Sequence, residues 1–432
     1  MKKVLIISDY FSPDNEIAAI RLTKIGKYLA LSGYTVDVLR RGASGRKEDI
    51  LLKYDLQFFN QIYENVNNGI NKYLYYFYHC RNNNISSNIL KKMTNIKEIF
   101  FIKQIKILLY NFFSILINLN YYHNAINRKD IKIETYNYII STFGPASNHL
   151  IGLNFKKKNK NIIWIADFRD TLRDNIFTFM FRMNKLYLEN KIIKYANIIT
   201  LVSYGCFSLK SSNIYIIPNG FDIDDYQLNN EKHSTNNKFI ISYTGSIYSN
   251  KSDIRILFKI IKELLEENIL NQSDFAVQYL GKNQIDFYNQ ASVYLRDEFI
   301  INSGFVTRNE SLKKQKESDM LILASWNDKN EQGIITGKLY EYFVSNRPII
   351  CFISGNLPDS KLKEMIIKSN TGCCYEEANS KIDYEIMKNY IKQQYINRKE
   401  GKPLNYSPNS SYIDQFNYKN IVNNLVKIME IK

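Results

Sequence analysis

Twice along this chain a short apolar run stops at a turn and an amphipathic helix follows. Val4-Leu-Ile-Ile7 precedes a helix predicted over Ile17 to Ser32, where Ala18, Leu22, Ile25 and Leu29 share one face and Gly33 marks the exit. Thr35-Val-Asp-Val-Leu39 is the next strand, which completes a βαβ unit. Far downstream Phe239-Ile-Ile-Ser-Tyr243 opens the pattern again. Its turn is Thr244 to Lys251, and Ile254, Leu257, Phe258, Ile261, Leu264 and Leu265 line the helix that follows. A strand that feeds a helix and then another strand builds a parallel sheet covered by helices. The fold class is therefore α/β: two facing Rossmann-like domains with parallel sheets and a cleft between them.

Further strands fit each half. Tyr138–Ile140, Ile162–Ala166, Ile198–Val202 and Ile214–Ile217 belong to the first; Ala276–Leu280, Met320–Leu323 and Pro348–Phe352 belong to the second. We place an N-terminal domain at 1–225, a C-terminal domain at 226–405, and a helical segment at 406–432 that can pack back on the N-terminal domain. The polar stretch 226–238 reads as a linker. Residues 45–135 interrupt the first half as a basic helical insertion rich in Lys, Asn, Tyr and Phe. Within it Ile99–Leu119 is strongly apolar, while Lys103, Lys106, Asn111, Ser114 and Asn118 fall on one arc. Such a helix suits a membrane interface or packs on the domain with its polar face solvated.

The chain has 432 residues, 45% hydrophobic and 14% aromatic, enough to fill two cores, which excludes disorder. Its five cysteines show no CxxC spacing and read as reduced core thiols; the four histidines form no metal motif. The basic start, Met1-Lys-Lys3, precedes a run too short for a signal peptide, and Asp9 ends that run. No stretch is long and apolar enough for a confident membrane span. The formal net charge of +16 points to an anionic membrane surface before nucleic acid, and coding bias toward Lys and Asn is the competing account.

Chemistry concentrates at Glu331 to Ile350. A loop with Gly333, Thr336 and Gly337 enters a short helix that carries Lys338 and Glu341, stops at Asn346 and leads to Pro348. An open helix N-terminus with a lysine in its first turn receives an anion. A carboxylate one turn further on suits a hydroxyl-bearing group beside it, so the ligand that fits is a diphosphate with a ribose. A Walker loop is excluded, because Gln332 stands at the first glycine position and Leu339 replaces the magnesium-binding hydroxyl. The first turn of the chain, Ser8 to Glu16, has no glycine, so a dinucleotide-binding loop is excluded too. In the first half, Asp167, Arg169 and Asp170 follow a strand end, where open parallel sheets bind ligands.

These segments together resemble family 4 of the retaining glycosyltransferases, which have the GT-B architecture and serve bacterial surface polysaccharide synthesis. Five carry the resemblance: Tyr10-Phe-Ser-Pro13, Ile165-Ala-Asp-Phe-Arg-Asp170, Ile217-Pro-Asn-Gly-Phe-Asp222, Tyr243-Thr-Gly-Ser246 through Lys251, and Gly337-Lys-Leu-Tyr-Glu341 with Arg347-Pro348. The resemblance covers the chain apart from 45–135. It implies that the C-terminal domain binds a nucleotide-sugar donor through Gly245, Ser246, Lys251, Gly333, Thr336, Gly337, Lys338 and Glu341. Glu341 would grip the ribose, and Lys251 and Lys338 would neutralise the diphosphate. The family's first glutamate belongs eight residues before Glu341, where Gly333 stands; Glu331 is the nearby carboxylate, assigned with Lys251 and Lys338 to catalysis. Ser246 stands where many members have Arg, and His149 reads as structural. The acceptor side would be Asn15, Glu16, Gly144, Asp167, Arg169 and Asp170.

The expected activity is transfer of a sugar to a lipid-linked or glycan acceptor, in capsule, O-antigen or other surface polysaccharide, with no metal and no cofactor. The expected place is the cytoplasmic side of the membrane, peripherally bound, with no nucleic acid partner. A sugar-nucleotide 2-epimerase of the same architecture and a non-catalytic basic membrane-binding protein are the alternatives.

Overall fold

The structure, a computed structural model, describes residues 1–42, 46–65, 112, 114–169, 179–203, 211–227, 238–248, 251–329 and 331–431. Asp170 and most of the expected helix over 99–119 lie outside the described residues. The chain divides into two compact units. The first is Met1–Val202, Cys206–Ile216 and Val426–Lys432; the second is Ser203–Gly205 and Ile217–Leu425. No helix among the described residues is long and apolar enough to cross a membrane.

The first unit holds a seven-stranded sheet: β1 (Lys3–Ser8), β2 (Thr35–Arg41), β3 (Gln61–Asn65), β4 (Tyr138–Thr142), β5 (Ile163–Phe168), β6 (Ile198–Leu201) and β7 (Ile214–Ile216). Their order is β3-β2-β1-β4-β5-β6-β7, and every pairing is parallel. Order reverses between β1 and β4, which makes their carboxyl ends the switch point of this sheet. Val4, Leu5, Ile6 and Ile7 are all fully buried, as a strand covered on both faces requires. Helices α1 (Ile17–Leu31) and α2 (Ser147–Lys158) follow β1 and β4.

The expected helical character of 45–135 fails at β3, which pairs with β2 through Asp37↔Gln61 to Arg41↔Asn65. As an edge strand, β3 buries only Asn65 and so carries little of the apolar alternation that marks a strand. The same region contains a helix at 114–126.

The second unit holds a six-stranded parallel sheet: β8 (Phe239–Thr244), β9 (Phe275–Leu280), β10 (Ile300–Asn302), β11 (Met320–Trp326), β12 (Ile349–Ser354) and β13 (Gly372–Glu376), in the order β10-β9-β8-β11-β12-β13. Alternation along the strands feeds two cores. Met320, Ile322 and Ile350 pack with Leu257, Phe258 and Ile261 of α3 (Arg255–Glu266). Leu321, Leu323, Ile349 and Cys351 pack with Leu339, Tyr342 and Phe343 on the other face. Cys351, Cys373 and Cys374 are free and buried. The switch point here lies between β8 and β11.

Candidate functional site

The carboxyl ends of β8 and β11 bring the sequence-predicted donor residues together. Helix α4 (Arg308–Glu317) precedes β11, and α5 (Gly337–Ser345) follows it. Helix α5 begins at Thr336, whose backbone is extended, and ends where Asn346 turns left-handed at φ 56°. Thr336 makes no side-chain cap, and its hydroxyl is buried without a hydrogen-bond partner. A side chain added at Gly337 or Gly333 would meet nothing within 4 Å, so the space before the helix is open.

Gly245 ends β8 with φ +127°, a conformation that suits glycine. A Cβ there would stand 3.3 Å from Cε of Lys338, so the missing side chain gives room to that lysine. The Gly turn and the α5 N-terminus therefore adjoin. Ser246 is exposed, and its carbonyl accepts a bond from the Tyr243 hydroxyl at 3.0 Å.

Glu341 is the most heavily engaged carboxylate of the set. Lys338 Nζ donates to its Oε2 at 2.8 Å and Gln315 Nε2 at 3.2 Å, while Arg308 Nε lies 3.7 Å from Oε1. Burial pushes its pKa up, but the charges of Lys338 and Arg308 and the bonds from Lys338 and Gln315 outweigh that and hold it below the usual carboxylate range. Gln315 is fully buried and also donates to Thr244 Oγ1 at 3.1 Å, which ties α4 to the end of β8. Arg308 is anchored by Asp225 at 2.9 Å.

Lys251 forms an ion pair with Glu331, and both side chains are about 40% exposed (41% and 40%). The same carboxylate accepts from Trp326 Nε1 at 2.5 Å, and the Lys251 ammonium stands 4.7 Å from the Trp326 ring centroid. Tyr248 meets that ring edge-on at 5.7 Å. Two lysines and a helix N-terminus thus lie at the neighbouring ends of β8 and β11, each lysine paired with a carboxylate. Sequence reasoning missed Arg308, Gln315 and Trp326. Only Arg308 left a trace, in the Thr307-x-x-Glu310 helix start, where Thr307 accepts from Glu310 N at 3.2 Å.

In the first unit the predicted acceptor residues divide. Asp167 is 1% exposed, and its oxygens accept from Arg21 at 2.7 Å, Thr200 at 2.7 Å and Thr142 at 3.0 Å. Burial raises its pKa, and the Arg21 charge with these bonds more than reverses that, so it is held low. It ties α1 to three strand ends. Arg169 donates to the carbonyls of Ala18 at 2.8 Å and Gly144 at 3.2 Å, joining the α1 entrance to the β4 turn. Gly144 has φ +96°, and a Cβ there would lie 2.6 Å from the Arg169 guanidinium. Asn15 is half-buried and Glu16 exposed at the start of α1. His149 is fully buried; its Nδ1 bonds Ser141 Oγ at 2.8 Å, and burial lowers its pKa to about 3.

No protein-family model matches the sequence, and no curated protein matches it. Solved structures do match. OtsA, a trehalose-6-phosphate synthase, in its apo form superposes with TM-score 0.61 at 10% identity, over 100% of this chain and 99% of its own. The E. coli trehalose-6-phosphate protein bound to UDP-2-fluoro glucose gives 0.59 at 9% identity, over 99% of each chain. A UDP-N-acetylglucosamine 2-epimerase gives 0.51 at 11% identity, over 100% of this chain and 97% of its own. At these identities the likeness shows the fold alone, and that fold is GT-B, with two Rossmann-like domains.

Proposed function

We propose that the protein is a glycosyltransferase that moves a sugar from a nucleoside-diphosphate donor to a lipid-linked or membrane-borne glycan acceptor. The convergence of Lys251, Lys338, Glu341 and the open α5 N-terminus at the switch point of the second sheet carries this reading. A diphosphate meets two ammonium groups and free backbone N–H groups there. The Glu341 carboxylate, kept ionised, accepts from ribose hydroxyls. A UDP-sugar analogue bound in the E. coli trehalose-6-phosphate protein, which has the same fold, supports the donor class.

Transfer breaks the bond between the anomeric carbon and the diphosphate. Electrons leave with the diphosphate, the sugar gains oxocarbenium character, the acceptor hydroxyl oxygen bonds the anomeric carbon, and its proton passes to the departing diphosphate oxygen. Lys251, Lys338 and the helix N-terminus are fixed positive groups aimed at the leaving oxygens, so they lower the barrier. Glu331 releases Lys251 to the diphosphate, and its carboxylate then opposes the positive charge that develops on the sugar. Asn15, Glu16, Gly144 and Arg169 are proposed to receive the acceptor. No metal enters this scheme, since the lysines supply the charge. EDTA should leave turnover unchanged; loss restored by manganese or magnesium would overturn that part.

A sugar-nucleotide 2-epimerase is the second reading, and the epimerase with the same fold supports it. Incubation with labelled UDP- and GDP-sugars and a lipid-linked acceptor separates the two. Release of nucleoside diphosphate with label passed to the acceptor is expected. Recovery of an epimerised sugar nucleotide with no acceptor labelling would favour the isomerase. The resemblance in sequence points to a surface polysaccharide, capsule or O-antigen, as the product.

A further inference from the structure

The helix at 114–126 is turned the wrong way round for a water-facing element. Its Ile117, Tyr121 and Ala125 are buried, at 2%, 1% and 0% exposure, and they seat the helix on the first unit. Its polar Asn118 is half-buried, and its Oδ1 accepts from Arg41 Nη2 at 2.7 Å. The outward side is apolar through Leu119, and exposed His123 follows it. Phe112, Ile115, Leu116 and Leu119 are 56%, 36%, 37% and 47% exposed, at the i, i+3, i+4, i+7 spacing of one face. An ordinary surface helix puts its polar groups outward, and an exposed apolar stripe of this length marks a contact surface.

Charge says what kind of contact. Residues 112–127 contain no Asp or Glu. Just beyond the helix stand Lys129 and Lys132, both exposed, with exposed Asp130, paired to Arg128, and exposed Glu134 among them. Exposed Lys158 caps the helix itself, since its Nζ donates to the Ile126 carbonyl at 2.9 Å. Lys157 and Lys160 are exposed beside it in sequence. A carboxylate-free apolar stripe, on a helix whose far end meets a net excess of cations through Lys129, Lys132, Lys157, Lys158 and Lys160, matches the boundary of an anionic bilayer, with acyl chains under the stripe and phosphates by the lysines.

We propose that this face of the first unit docks on an anionic lipid surface, with Phe112, Ile115, Leu116 and Leu119 inserted and Lys129, Lys132 and Lys158 on the headgroups. The inference stands on this helix alone and does not depend on the donor site. The test is co-sedimentation of the full chain with phosphatidylcholine vesicles, with and without phosphatidylglycerol, across a salt series. Wild type should bind the anionic vesicles, bind the neutral ones weakly, and release as salt rises. Leu116→Ser with Leu119→Ser should lower vesicle affinity by about tenfold or more. Lys129→Gln with Lys132→Gln should lower it several-fold and flatten the salt dependence. Sedimentation velocity of the Ser pair should match wild type, and its melting should fall only modestly, because Leu116 and Leu119 are 37% and 47% exposed. Failure of wild type to bind anionic vesicles, or equal binding by the Ser pair, overturns the proposal. So does a Ser pair that changes oligomeric state, because a second copy then covers the face.

Discussion

The two parallel sheets use charge at their switch points in opposite ways. In the first unit the ionic groups around β1 and β5 are sealed, while Glu64, which pairs with Arg40 at the sheet edge, is 42% exposed. Arg21 and Asp167 have side chains 4% and 2% exposed, and Arg41 and Arg46 meet Asp9 with all three below 10%. In the second unit Lys251 and Glu331 are 41% and 40% exposed, and Lys338 and Glu341 27% and 15%. A sealed pair has lost its water and can be broken only at high cost, so it fixes geometry. A pair as open as Lys251 and Glu331 contributes little to stability. The same residue types at equivalent places in the fold are thus a clamp in one unit and, under the proposed function, a receptor in the other.

The contrast can be broken most sharply at Arg21. Arg21→Met leaves the Asp167 carboxylate buried without its cation, and we expect a loss of about 3–5 kcal/mol in urea unfolding. A loss under about 1 kcal/mol would mean the first unit's pairs are no more structural than the second's. Next comes Glu341→Ala, which should cost less stability than Arg21→Met while weakening UDP or GDP binding by about 1.5–3 kcal/mol in calorimetry. Equal affinity with the fold intact would sink the assignment of this carboxylate to the donor.

Protons sharpen the comparison further. His149 stays neutral in the folded protein down to about pH 3, against 6.5 when exposed. Between those values the unfolded chain binds the extra proton, so stability falls as pH falls through that window. At about pH 5 the loss is about 2 kcal/mol, and His149→Gln should remove it from the pH profile. The Asp167 carboxyl, held low, adds a loss that begins only below its ordinary 3.8. An acid limb identical in wild type and His149→Gln would show that burial at this site does not govern the first unit. The smallest effect belongs to Lys262 and Glu266, an exposed i,i+4 pair at 3.7 Å on α3. Lys262→Ala should cost about 0.5 kcal/mol or less, and a larger cost would blur the line between clamp and receptor.

Both βα openings were legible because buried parallel strands are continuous apolar runs and the helices behind them keep a 3.6 period. The donor helix was legible too, since Gly337 and Asn346 punctuate its ends. Edge strands were not: β3 and β10 are largely exposed and carry no apolar signature. Ionic partnership was also invisible. Arg21 and Asp167 stand 146 positions apart, and Gln315 reaches Glu341 across 26. A sequence displays charges; only the folded chain shows which are already spent on one another. Trp326 escaped notice for the same reason, because a lone aromatic at a strand end looks like core until Glu331 and Lys251 are seen around it.

The last described helix, Tyr418–Ile431, carries a consequence for biogenesis. Residues from Val426 onward belong to the first unit, where the Tyr138 hydroxyl donates to the Met429 carbonyl at 3.4 Å. Leu425 and nearly everything back to Ile217 belong to the second. A ribosome therefore emits the first unit without its closing segment and must synthesise the whole second unit before that segment emerges. Through that interval Tyr138 is without its Met429 partner, so the first unit completes its packing only after the second has been made.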